Sequence, residues 1–229
     1  MSTRADPPLP QAASFRLEQD RDRLVLRAEH LPNYAPIGVD WASDDVRRRI
    51  RGGKRQLLGR AVGLHKYPWT SVVDATAGLG RDAYVLASLG AELTLLERCE
   101  QTAALLADAL QRVPNDPAIS RMRLFATEAV EWLYAHPATA DVVLIDPMYP
   151  HSGKQALAKK EMQVLRALSG GDEDADALLP AALACATRRV VVKRPLKAPP
   201  LANAAPNFRI TGSQARYDIY LPARGSTET

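Results

Sequence analysis

Between Ser71 and Lys193, short apolar runs alternate with stretches of helical spacing, and this alternation constrains the fold more than any other feature. Ser71–Asp74, Glu92–Leu96, Arg123–Phe125, Asp141–Ile145 and Arg189–Lys193 read as strands, the last two as apolar runs typical of strands buried on both faces. Ala83–Leu89, Thr102–Arg112, Glu128–Ala135, Gln155–Leu168 and Asp176–Ala186 read as the helices between them. Strand–helix alternation of this kind predicts an α/β fold, an open and mostly parallel sheet covered by helices on both faces. The tail departs from the pattern. Phe208–Thr211 and Tyr217–Leu221 follow each other with no helix between them, which predicts an antiparallel hairpin closing the sheet.

Ahead of this region the chain reads differently. Residues 1–13 are rich in Pro and Ala and are expected to be a disordered tail. Phe15–Glu18 and Arg23–Arg27 alternate around Asp20–Asp22 as a short hairpin, and Gln56–Leu64 has helical spacing. The expected organisation is a small N-terminal lobe over 14–65 and a main domain over 66–229. No stretch approaches the ~18 apolar residues of a membrane span, and residues 1–13 have no apolar segment of the secretory kind. Two cysteines, Cys99 and Cys185, exclude a disulfide framework and suit a reducing cytoplasm; neither their spacing nor any other implies a metal site. With 30 Lys and Arg against 26 Asp and Glu the chain is mildly basic, and the excess is concentrated. RRRIRGGKRQLLGR, from Arg47 to Arg60, holds seven cations and no acid, which reads as a phosphate-contacting arm through Arg47, Arg48, Arg49, Arg51 and Lys54. Lys193 and Arg194, at the end of a central strand, are further candidates for contact with a nucleic acid.

The chemistry is concentrated at strand ends. Asp74-Ala-Thr-Ala-Gly78-Leu-Gly80-Arg81-Asp82 is a small-residue loop between a strand and a helix, where backbone can approach a ligand closely. Glu97 ends the next strand, 23 residues after Asp74, where a carboxylate can accept both hydroxyl protons of an adenosine ribose. These two features identify an adenosine cofactor and serve a dehydrogenase and a methyltransferase equally well. The strand Asp141–Ile145 then ends in Asp146-Pro147-Met148-Tyr149-Pro150. Asp146 and the Pro147 carbonyl are placed to accept the hydrogens of an exocyclic amine, and Tyr149 offers a stacking face for a base. This segment resembles the (D/N)PP(Y/F) motif of amine methyltransferases, with Met148 in place of the second proline, and a parallel sheet finished by an antiparallel hairpin is the Rossmann-like plan of class I methyltransferases. A nicotinamide-dependent oxidoreductase and a non-catalytic RNA-binding module are the alternatives.

Longer strings carry a more specific resemblance. DATAGLGRDAYVLASLGAELTLLER, DPMYPHSGKQALAKKEMQVLRAL, RVVVKRPLKAPPLAN and RYDIY, with the basic run before them, resemble the bacterial 16S ribosomal RNA guanine-N2 methyltransferases of the J type. The resemblance implies S-adenosyl-L-methionine as cofactor, a guanine amine as acceptor, and ribosomal RNA or the small ribosomal subunit as partner. It also implies cofactor contacts at Arg81, Asp82, Glu97, Arg98 and Asp146, alongside Gly78, and at the pair Thr127-Glu128. The family usually has two serines at that pair, so Glu128 is a departure.

Overall fold

The computed structural model describes residues 15–30, 34–67, 70–147, 156–169 and 175–223. The expected tail and the segment Met148-Tyr149-Pro150 lie outside the described residues, as does the first residue of the helix expected from Gln155.

The strands are β1 (Phe15–Asp20), β2 (Arg23–Ala28), β3 (Ser71–Asp74), β4 (Glu92–Glu97), β5 (Met122–Ala126), β6 (Ala140–Ile145), β7 (Ala186–Pro195), β8 (Phe208–Thr211) and β9 (Ala215–Tyr220). The helices are α1 (Asp44–Arg51), α2 (Leu57–Val62), α3 (Arg81–Ser88), α4 (Glu100–Arg112), α5 (Ala129–Ala135), α6 (Ala156–Ser169) and α7 (Ala175–Cys185). Seven strands form one sheet in the order β5-β4-β3-β6-β7-β9-β8, and β1 and β2 form a separate antiparallel pair. Strands β3 to β7 run parallel, while β9 pairs antiparallel with both β7 and β8. The chain winds outward in both directions from β3 and β6, so a crevice opens at their carboxyl ends, where sheets of this type bind ligands.

Successive strand residues face opposite sides. Val72, Val142, Leu144, Val191 and Ile219 pack on one face with Leu86, Leu105 and Leu106, whereas Val73, Val143, Ile145, Val190 and Val192 pack on the other with Leu133, Leu179 and Ala182. Burial on both faces is why these strands read as unbroken β-branched runs.

The N-terminal section shares the first of these cores. Leu26, Val39, Trp41 and Leu58 belong to the same buried cluster as Leu86 and Leu106. Trp41 stacks on Tyr84 of α3 at 4.9 Å between ring centroids, and its indole N–H donates to the Leu79 carbonyl at 3.1 Å. The section expected as a lobe is therefore fastened to the glycine loop.

Two of the differences from expectation have a plain physical reason. The basic run begins inside α1, a helix with Asp44 and Asp45 in its first turn and Arg48, Arg49 and Arg51 in its last. Both ends complement the helix dipole, and Asp45 also pairs with Arg48 one turn on. Strand β7 begins at Ala186, three residues earlier than expected, because Ala186 already pairs with Ala140 of β6.

Candidate active site

The loop after β3 turns into α3 through two glycines with positive φ, Gly78 at 53° and Gly80 at 67°. At Gly80 a Cβ would also lie 2.8 Å from Leu106 Cδ2, so the turn needs glycine for both backbone and space. The loop is bonded to its neighbours along its length. Ala77 N–H donates to the Leu96 carbonyl at 3.1 Å, and Gly78 N–H donates to Glu97 Oε2 at 2.9 Å. Cys99 N–H donates to Glu97 Oε1 at 2.8 Å, which fixes the plane of that carboxylate. Across the crevice, Asp146 N–H donates to Thr76 Oγ1 at 2.7 Å, tying the end of β6 to the loop after β3.

These segments wall an open cleft, lined by Thr76, Gly78, Glu97, Arg98, Thr127, Glu128 and Asp146 on the loop side and by Leu178 of α7. A Cβ on Gly78 would meet nothing nearer than Thr76 O at 3.9 Å, so bare backbone borders open space there. A carboxylate of fixed orientation, exposed loop backbone and apolar walls from Leu96, Ala129 and Val130 together fit an adenosine group. The departure at Glu128 acquires a partner: its carboxylate lies 3.9 Å from Arg98 Nη1.

Behind Asp146 stands a cluster of charges. Lys193 Nζ donates to Asp146 Oδ2 at 2.7 Å and to Asp82 Oδ2 at 3.4 Å, and Arg49 Nη2 donates to Asp82 Oδ1 at 2.6 Å. Burial pushes the Asp82 carboxyl up, but Lys193 and Arg49 outweigh it and hold the group down at about 2. Burial pulls the Lys193 ammonium down, and Asp146 and Asp82 outweigh that in turn, holding it well above its usual range. Asp74 is different. It is buried with no cation of the described residues in hydrogen-bond contact, and burial followed by the charge of Asp82 raises it to about 8. Its proton is therefore held to a higher pH than that of an ordinary aspartate. Tyr217, raised by burial and then by Asp82, stays a neutral phenol.

Of the expected cofactor residues, the cleft brings together Gly78, Glu97, Arg98, Thr127, Glu128 and Asp146. Arg81 and Asp82 are turned to protein partners: Arg81 makes a two-pronged contact with Glu161 of α6 at 2.7 and 3.1 Å, and Asp82 holds Arg49 and Lys193. Pro147 is buried beside Asp146, and Tyr149 lies outside the described residues. The expected RNA contacts divide. Arg47, Arg48, Arg51 and Lys54 are exposed on α1 and the turn after it. Arg49 and Lys193 are half-buried in the charge cluster, where their cations are committed to carboxylates. Arg194 requires a correction. It is 1% exposed and donates through Nε to the Pro199 carbonyl at 2.9 Å, because neighbours along a strand face opposite sides and it cannot share the ligand side with Lys193. Sequence reasoning missed Thr76 as the group that anchors Asp146, and Leu178 as a wall. Thr76 lies within the small-residue loop; nothing near Leu178 marks it.

Comparison with known proteins places this geometry. The family described as "Putative SAM-dependent methyltransferase" matches residues 2–222. Ribosomal RNA small subunit methyltransferase J of Aeromonas salmonicida is 48% identical over 216 residues, which cover 91% of this chain and 87% of that protein. The protein of the same name from Marinobacter nauticus is 49% identical over 219 residues, covering 90% and 79%. Among solved structures, a SAM-dependent methyltransferase from Neisseria gonorrhoeae is similar with a TM-score of 0.73 at 31% identity, over 97% of this chain and 87% of that one.

Proposed function

We propose a function from the premise that the chain belongs to the SAM-dependent methyltransferase family, alongside the proteins named ribosomal RNA small subunit methyltransferase J. It is an S-adenosylmethionine-dependent methyltransferase of small-subunit ribosomal RNA, and its acceptor is the N2 amine of a guanine. The dehydrogenase and non-catalytic alternatives are set aside by the family. The observation that carries the acceptor assignment is the position of Asp146, at the carboxyl end of β6, on the cleft wall and bonded to Lys193.

The cofactor would be held by the Gly78 backbone, Glu97, Thr127 and the Arg98–Glu128 pair, and when bound it supplies an electrophilic sulfonium methyl group. The chain's own part is to prepare the amine. Conjugation draws an exocyclic amine's lone pair into the ring, which makes it a weak nucleophile. The Asp146 carboxylate accepts hydrogen bonds from the amine, turns the lone pair outward and disperses the positive charge that develops on nitrogen. It is also placed to take the proton that nitrogen releases once the new N–C bond has formed. Arg47, Arg48, Arg51 and Lys54 present a cationic face for RNA phosphates. Among the described residues no helix is long and apolar enough to cross a membrane. Both cysteines are buried and free, which suits the reducing cytoplasm where ribosomes are made.

Incubating the purified protein with methyl-labelled S-adenosylmethionine and either naked 16S RNA or small subunits lacking the modification tests this reading. N2-methylguanosine in the nuclease digest of either substrate supports it. Label found only on another base or atom, or no label in either, overturns it.

A further inference from the structure

Four charged side chains from four elements form a continuous chain of contacts at the candidate site. Arg49 of α1 binds Asp82 of α3, Asp82 binds Lys193 of β7, and Lys193 binds Asp146 at the end of β6. Tyr217 of β9 and Asp74 of β3 face the same cluster. We propose that Lys193 is a positioning residue for methyl transfer: its ammonium, seated between two carboxylates, holds the Asp146 carboxylate in the orientation and the ionised form that receive the substrate amine. This rests on the methyltransferase reading above.

The geometry argues for this role in three ways. First, a lysine side chain on a surface samples many rotamers, whereas Lys193 is bonded at 2.7 Å to one carboxylate and at 3.4 Å to another. Thr76 fixes the Asp146 backbone, and Lys193 supplies the matching constraint on the side chain. Second, the charges balance inside the cluster. Arg49, Asp82, Lys193 and Asp146 are bonded in that order, so two cations alternate with two carboxylates. Arg49 occupies Asp82, and without it Asp82 would draw Lys193 away from Asp146. Third, an ammonium is a point charge that binds one carboxylate oxygen, here Oδ2, while a guanidinium tends to take both. A lysine in this place occupies one oxygen of the carboxylate, where an arginine would tend to occupy both.

The test is Lys193→Met, with kcat and KM measured on RNA, S-adenosylhomocysteine binding measured by calorimetry, and the Asp146 carboxyl followed by 13C NMR in the cofactor-free protein. The expected result is a fall in kcat of about tenfold to a hundredfold. RNA KM and S-adenosylhomocysteine affinity hold, and Asp146 titrates at higher pH than in wild type because its neighbouring cation is gone. A raised RNA KM and a flatter salt dependence at unchanged kcat would make Lys193 an RNA contact and overturn the proposal, as would an unmoved Asp146 titration. Lys193→Arg is expected to lower kcat too, by capturing both carboxylate oxygens; full activity there counts against the argument from point charge. Should Lys193→Met not fold, Arg49→Gln reads the same chain from its outer end. There kcat falls by a smaller factor with RNA KM unchanged, and an unaltered kcat overturns the proposal. The NMR titration needs neither RNA nor cofactor, so it separates failure of this proposal from failure of the methyltransferase reading, which would appear as absent transfer by the wild-type protein.

Discussion

At the scale of single residues, two carboxylates in the cleft region have opposite burdens. Glu97 receives N–H groups from Gly78 and Cys99, which orient it for a ribose whose hydroxyls change little as the methyl group moves. Glu97→Ala is therefore expected to weaken S-adenosylhomocysteine binding, by about tenfold, more than it lowers kcat at saturating cofactor. Calorimetry paired with saturated turnover measures both, and unchanged affinity would reduce Glu97 to a strand-end charge. Asp74 is buried, and burial raises its carboxyl to about 8 in the folded state against 3.8 in an unconstrained chain. Its sign is that of a raised group: the folded state is favoured below about 4, and the advantage is lost as pH rises toward 8 because the unfolded carboxyl ionises first. Asp74→Asn keeps an oxygen to accept from Thr76 N–H and has no proton to lose. Its melting temperature should match wild type near pH 4 and exceed it by on the order of 5 °C at pH 8. Melting curves across that range check this, and a constant gap would contradict the buried proton. Glu97 and Asp146 were legible because strand ends in such a sheet mark themselves by position. The charge cluster was not. Its contacts join residues 33, 111 and 47 positions apart, and no local pattern encodes which carboxylate a given cation will meet.

At the scale of elements, the parallel strands were legible because strands buried on both faces must be apolar throughout. Helix α1 was hidden by its own composition. Seven cations read as an arm, and the signal that makes the segment helical, Asp44-Asp45 placed one turn before the arginines, lies just outside the basic run. Once the helix is seen, the basic residues cease to be equivalent. Arg49 turns inward to Asp82, while Arg47, Arg48 and Arg51 stay on the outer side, with Arg47 Nε bonded to the Ala42 carbonyl at 2.6 Å. Replacing Arg47, Arg48 and Arg51 together with Gln should weaken RNA binding and flatten its log–log salt dependence by up to about two units, at roughly 0.7 for each phosphate no longer neutralised. S-adenosylhomocysteine affinity should stay as in wild type, since none of the three lines the cleft. Binding titrations at several salt concentrations test this, and an unchanged slope would move the RNA surface elsewhere.

At the scale of the whole molecule, the expected boundary near residue 65 divides a shared core. Leu26, Val39, Trp41, Val46 and Leu58 are all at most 7% exposed. Each large apolar side chain is worth about 1.5–3 kcal/mol when buried. Five sum to on the order of 10 kcal/mol, comparable with the whole net stability of a domain. A chain trimmed to residues 66–229 should therefore lose cooperative folding, seen as a broad thermal transition by circular dichroism and rapid proteolysis. A sharp melt would establish the main sheet as an independent unit. The strand order has a consequence of another kind, for what the protein does in a crowded cell. The sheet ends at β5 on one side and β8 on the other, strands of five and four residues. Each carries an exposed arginine, Arg123 and Arg209, and Arg209 leans back onto Asp218 of the neighbouring strand. Shortness and an exposed cation make each margin a poorer template for another chain's strand, and these two features offset the phenylalanine that each edge also exposes, Phe125 and Phe208.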